Sequence, residues 1–125
     1  MAELTALVAK LLLSASVLSG YAPPDEPPRV GVVSDRELRV VGCSGQCSAN
    51  GLYTPGRGIL ISDRLDPAAD VRTRAVLLHE IVHYLQDLNG AFADLPPCER
   101  YLAREQEAYT VENRYLKRYG QPVVG

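Results

Sequence analysis

The chain has two histidines, His79 and His83, and they flank a glutamate in the run His79-Glu80-Ile81-Val82-His83. On a helix, positions i and i+4 lie on one face about one turn apart, so both imidazoles can grip a single metal ion. Glu80 stands one residue, about 100°, around the helix from His79. A carboxylate placed there can take a proton from a water bound to that metal and act as general base. Val76, Leu77, Ile81, Val82 and Leu85 make the surrounding segment broadly apolar, as a buried metal-bearing helix requires.

Two histidines leave such a site one ligand short. Catalytic zinc takes three protein ligands and keeps a fourth position for water. With no third histidine, the missing ligand is a carboxylate or a thiolate. Four glutamates follow at positions 99, 105, 107 and 112. Helical spacing predicts an inward stripe of Cys98, Leu102, Glu105, Ala108, Tyr109, Glu112 and Leu116. Glu105 falls in its middle, where a carboxylate is costly unless it is paired or metal-bound. Glu107 shares a face with Arg104, Arg114 and Arg118, which reads as solvated. The period therefore prefers His79, His83 and Glu105 as the ligand set, with Glu107 as the rival. Two imidazoles and one carboxylate suit Zn2+.

The elements that must carry these residues follow from caps and breakers. Leu4, Leu7, Val8, Leu11, Leu12 and Ala15 recur at helical spacing, predicting an N-terminal helix over residues 1–20. Tyr21 to Pro28 holds four prolines and reads as a rigid, extended connection. Arg29 to Val33 reads as a short strand, and Ser34-Asp35-Arg36-Glu37 as a capping box opening a helix to about Val40 or Val41. Gly42 to Asn50 reads as a loop. Gly51 to Ile61, with Pro55, Gly56 and Gly58 at its turn, reads as a β-hairpin. Asp70 is placed to cap a long helix ending at about Leu88, with Asn89-Gly90 closing it. Pro97 suits the first turn of a last helix, from about Cys98 to Tyr119, closed by Gly120. The expected class is α+β: one domain over 1–125, a small sheet on two long C-terminal helices, and the metal-site core within 51–119.

Composition sets bounds on function. With 125 residues, 46% hydrophobic and 22% charged, the chain can bury a core without disulfides. A net charge of −2 and no basic block argue against nucleic-acid binding. Cys43, Cys47 and Cys98 are an odd set, and Cys43–Cys47 pairing stays open beside three reduced thiols. Leu4 to Leu18 is apolar, but Glu3 stands where a signal peptide is basic, and Lys10 interrupts the run. The stretch is too short to span a membrane. A packed helix is preferred to a signal or anchor, and a cytoplasmic location to export.

His79-Glu80-Ile81-Val82-His83-Tyr84-Leu85-Gln86, followed about twenty residues on by Glu105-Gln106-Glu107-Ala108-Tyr109, resembles the gluzincin metallopeptidases. A weaker similarity is to metallopeptidase domains of the ImmA/IrrE type, where a Gly-Tyr hairpin with an apolar second strand precedes the metal helix, as Gly51–Ile61 does here. The resemblance covers about Gly51 to Leu116. It implies a zincin-like minimal domain with zinc on His79, His83 and a downstream glutamate. It also implies an edge strand beside the cleft, a part that Ile59-Leu60-Ile61 could play by pairing with an extended substrate. Many gluzincins carry Asp or Asn four residues after the ligand glutamate, whereas that position after Glu105 holds Tyr109. Tyr53, Tyr101, Tyr109 and Arg57 are candidate donors to an oxyanion.

The leading expectation is a zinc-dependent peptidase acting on a peptide or protein substrate, with Glu80 as base. Competing with it are a non-catalytic or regulatory metal-binding domain and a peptide-binding module with a vestigial site.

Overall fold

The computed structural model describes residues 2–43, 50–56 and 58–124. Across these residues the order is α1 (Ala2–Ser19), β1 (Val30–Val33), α2 (Asp35–Cys43), β2 (Gly51–Thr54), β3 (Gly58–Ser62), α3 (Val71–Asn89) and α4 (Pro97–Arg118). The class is α+β, with the two long C-terminal helices packed on a small mixed sheet.

Local chemistry sets each boundary. Ser34 Oγ accepts from the Glu37 backbone N–H at 3.1 Å and starts α2. The Asp70 carboxylate caps α3, accepting from the Arg72 backbone N–H and the Thr73 hydroxyl, both at 3.1 Å. Gly90 ends that helix in the left-handed conformation (φ 62°). Pro97 opens α4 in its first turn, where a missing N–H costs nothing.

The sheet order is β1-β3-β2. β1 runs parallel to β3 with Val30 opposite Ile59, and β2 runs antiparallel to β3 with Tyr53 opposite Ile59. Gly58 permits this junction: its φ is 90°, and a Cβ there would lie 2.4 Å from the Arg29 carbonyl oxygen. Strand alternation sends Ile59 and Ile61, both buried, into the core under α3 and α1. Leu52 and Leu60 face the other way, toward α2.

The core joins Val8, Leu11, Leu12 and Ala15 of α1 to Leu77, Leu78, Ile81, Val82 and Leu85 of α3 and to Ala108, Val111, Tyr115 and Leu116 of α4. The N-terminal helix is therefore a packed element. Among the described residues no helix is long and apolar enough to cross a membrane. Cys98 is an exposed free thiol. Cys47 and the Cys43 side chain, on which the pairing question turns, lie outside what is described.

The inward stripe of α4 differs from the expectation at its first half. Leu102 is 58% exposed and Cys98 is exposed, whereas Val111 and Tyr115 are buried beside Ala108, Glu112 and Leu116. Before Ala108, α4 carries no fully buried residue: Ala103, Arg104, Glu105 and Glu107 are half-buried, and the buried stripe begins at Ala108.

Candidate metal centre

α3 and α4 bring their polar residues together where that packing begins. His79 and His83 lie one turn apart on α3, their rings edge-on with centroids 4.9 Å apart. Both turn Nε2 toward one carboxylate on α4. His79 Nε2 lies 3.2 and 3.4 Å from the two Glu105 oxygens, and His83 Nε2 lies 3.2 and 3.1 Å from them. The candidate ligand atoms all lie within 4.8 Å of one another. Four-coordinate zinc, with bonds of about 2.0–2.1 Å, holds its ligand atoms about 3.3 Å apart. The Nε2-to-carboxylate separations of 3.1–3.4 Å match that spacing and the donor types suit zinc, while the set as a whole spreads up to 4.8 Å and would tighten around an ion.

The far side of each ring is also engaged. His79 Nδ1 lies 2.8 Å from Glu112 Oε1, a buried carboxylate oxygen that can only accept. His83 Nδ1 lies 2.8 Å from Gln86 Oε1. The Gln86 amide nitrogen donates to the Arg104 carbonyl at 2.9 Å and to the Glu107 carboxylate at 3.1 Å. Those two acceptors fix which way the fully buried amide points, so its oxygen must face His83. Each imidazole thus carries a proton on Nδ1 when neutral and offers the Nε2 lone pair to the cluster, as metal-bound histidines require.

The charges of the metal-free cluster follow from this geometry. Burial works against charging His79, but the Glu105 and Glu112 carboxylates outweigh it and push the imidazole up to about 10. Hydrogen bonds from His79 and His83 hold the Glu105 carboxyl well below the usual carboxylate range. Glu80 behaves oppositely. Burial raises its carboxyl, offset only in part by the nearby imidazoles, and the Tyr53 backbone N–H donates to it.

On the open side lies a cleft of about 680 Å³, lined by Gly51, His79, Glu80, Tyr101, Glu105 and Tyr109 among others. Gly51 lets β2 approach closely, since a Cβ there would sit 3.3 Å from Glu80 Cγ. The Tyr109 ring packs edge-on against His79, centroids 4.5 Å apart. Burial and the carboxylates of Glu105, Glu112 and Glu80 raise its phenol, so the hydroxyl stays a donor.

Several expectations change here. Ile59-Leu60-Ile61 is not an edge strand: β3 is the centre of the sheet, its two edges taken by β1 and β2. The strand that borders the cleft is β2. Ser62 N–H donates to the Asn50 carbonyl at 3.0 Å, which turns the backbone groups of Gly51 and Tyr53 outward. Glu107 is half-buried and not simply solvated; it accepts from Gln86 and, at 2.5 Å, from the Tyr21 hydroxyl, and it is not one of the groups that meet at the two Nε2 atoms. The Tyr53 hydroxyl is committed to Asp87 at 2.8 Å, and Arg57 lies outside the described residues. Gln86 and Glu112 had no assigned role from sequence. Glu112 could have been found as a second acid on the inward stripe, and Gln86 as a polar residue on an apolar face three positions after His83.

Compared with known proteins, the chain matches no family model, no curated protein and no solved structure.

Proposed function

We propose that the chain is a zinc-dependent peptidase of gluzincin type, with His79, His83 and Glu105 as ligands and Glu80 as general base. One observation carries the reading: two imidazoles aim Nε2 at one carboxylate, each locked from behind by a separate acceptor, while the half-buried Glu80 borders the same cleft.

Zinc held by these residues would act as a Lewis acid, polarising a carbonyl and lowering the pKa of water. The protein's own groups do the rest. Glu80, raised by burial, takes a proton at its carboxylate and passes it to the departing amine. The Tyr53 backbone N–H orients that carboxylate. The Tyr109 hydroxyl, kept protonated beside three acids, is the donor available to a developing oxyanion. β2 supplies the outward backbone groups of Gly51 as a register for extended substrate.

Glu80→Gln tests the assignment. Zinc titration should give the same stoichiometry and affinity as the wild type, while hydrolysis of a peptide library falls by roughly 10²–10⁴-fold. A wild-type chain that holds zinc yet cleaves nothing would leave a non-catalytic metal domain. Failure to bind stoichiometric zinc would sink both readings.

A further inference from the structure

After α4 the chain turns back at Gly120 (φ 70°), and the Gln121 N–H donates to the Leu116 carbonyl at 2.9 Å. Residues 121–124 then run without helix or strand structure, tied to α3 through Arg72 and to α4 through Asn113. Arg72 Nη1 donates to the Pro122 carbonyl at 2.8 Å. Asn113 takes both main-chain groups of one residue: its Oδ1 accepts from the Val124 N–H at 2.8 Å, and its Nδ2 donates to the Val124 carbonyl at 3.2 Å. Val124 and Arg72 line the same cleft as His79, Glu80 and Glu105.

All three of these contacts read main chain, none a side chain. A side-chain amide that pairs with both the N–H and the C=O of one residue does what a neighbouring strand would do, and it recognises extended peptide of any sequence. The cleft is far larger than the short stretch that enters it. Tyr101 and Tyr109 line its other part with large aromatic surface, 67% and 45% exposed. Asn113 stands eight residues along α4 from Glu105, about 12 Å at 1.5 Å per residue. An extended peptide covers that distance in about four residues.

We propose that the cleft binds an extended peptide whose backbone is clamped at the cleft's end by Arg72 and by Asn113 beside it, and that the 121–124 segment, entering through Val124, holds that clamp as an intramolecular competitor. The inference rests on reading the cleft as a substrate site, but peptide binding itself needs no metal. A tethered segment competes at an effective concentration of order millimolar. Loosening it therefore exposes the clamp to peptide in solution.

The probe is the fluorescein-labelled peptide Gln-Pro-Val-Val-Gly, followed by anisotropy with the full-length chain in chelator. Val124→Pro keeps the length but removes the main-chain N–H that the Asn113 Oδ1 accepts. This variant should bind the peptide at least tenfold more tightly than the wild type. Asn113→Ala added to it should weaken binding about tenfold, with unchanged helix content. Equal affinity of wild type and variant, no binding by either, or no effect of Asn113→Ala would overturn the proposal. A second measurement uses the unaltered chain: excess peptide should accelerate hydrogen exchange at the Val124 amide, and unchanged exchange would count against displacement. A chain that binds the peptide but no zinc would sink the peptidase reading alone. A zinc-loaded peptidase that ignores the peptide would sink this one alone.

Discussion

Behind the imidazoles, Gln86 is fully buried and Glu112 is 6% exposed, and each is paired to one ring. In front of them, Glu80, Tyr109 and Gly51 border an open cleft, and Glu105 keeps about a quarter of its side chain exposed. The two sides ask different things of their residues. A buried polar group tolerates one arrangement only, because any other leaves a donor or acceptor without a partner. A group beside water can change partner at little cost. The rear side therefore fixes the rings and the front side leaves room for a reacting molecule. The same division runs along α4, whose second half is packed and whose first half is exposed, with Glu105 at the junction.

Gln86→Leu should produce the largest effect. It removes the acceptor for His83 Nδ1, the Gln86 donor to the Arg104 carbonyl and one of the two donors to Glu107, which keeps the Tyr21 hydroxyl. A buried group left without a partner costs about 1–3 kcal/mol, and loss of a support behind a metal-bound histidine weakens metal binding about 10–100-fold. Glu112→Gln keeps an oxygen able to accept from His79 Nδ1, so its zinc affinity should fall by less. On the front side, Tyr109→Phe should leave zinc affinity near wild type. Titration against a competing chelator, with thermal unfolding alongside, checks all three. If Gln86→Leu binds zinc as the wild type does, the rear side does not position the rings.

Much of this division was legible in the sequence. Caps at Asp70 and Gly90 bounded α3, and the spacing of His79, His83 and Glu105 chose three groups that lie together. What the periodicity could not give was where α4 leaves the core. Leu102 fits the stripe as well as Leu116 does, yet Leu116 is buried while Leu102 is more than half exposed. Sheet order was hidden for a similar reason. Ile59-Leu60-Ile61 reads the same in a central or an edge strand, and its position depends on β1 arriving from about thirty residues earlier. Glu107 misled because its arginine neighbours in sequence suggested water, while its partners, Tyr21 and Gln86, come from elsewhere in the chain.

A smaller effect separates the sides from the front. Gly51→Ala places a methyl 3.3 Å from Glu80 Cγ and 3.5 Å from Val76 Cγ1. Overpacking of this kind costs roughly 1–3 kcal/mol, and the freer of the two neighbours is the Glu80 side chain at the cleft. Zinc affinity should stay within about twofold while peptide hydrolysis falls roughly tenfold, the factor that about 1.4 kcal/mol represents. A parallel loss of zinc would mean that β2 and the ligands are one rigid unit, and the contrast would weaken.

The mildest test is pH, and its sign follows from His79. In the metal-free protein the imidazole is raised from its ordinary 6.5 to about 10 by carboxylates that override burial. A raised folded value means that protonated His79 contributes stability in full below about pH 6.5, and that this contribution is lost as pH climbs toward 10. The melting temperature in chelator should therefore decline steadily from pH 7 to 9.5. Zinc binding has the opposite slope, because the ligand must give up that proton. Its affinity should rise about tenfold per pH unit for one proton released. Glu112→Gln removes one of the two carboxylates that hold the proton, so it should flatten both slopes. A melting temperature that does not change with pH in the wild type would show that the rear carboxylate carries no charge coupling to the ring, leaving it a role in shape alone.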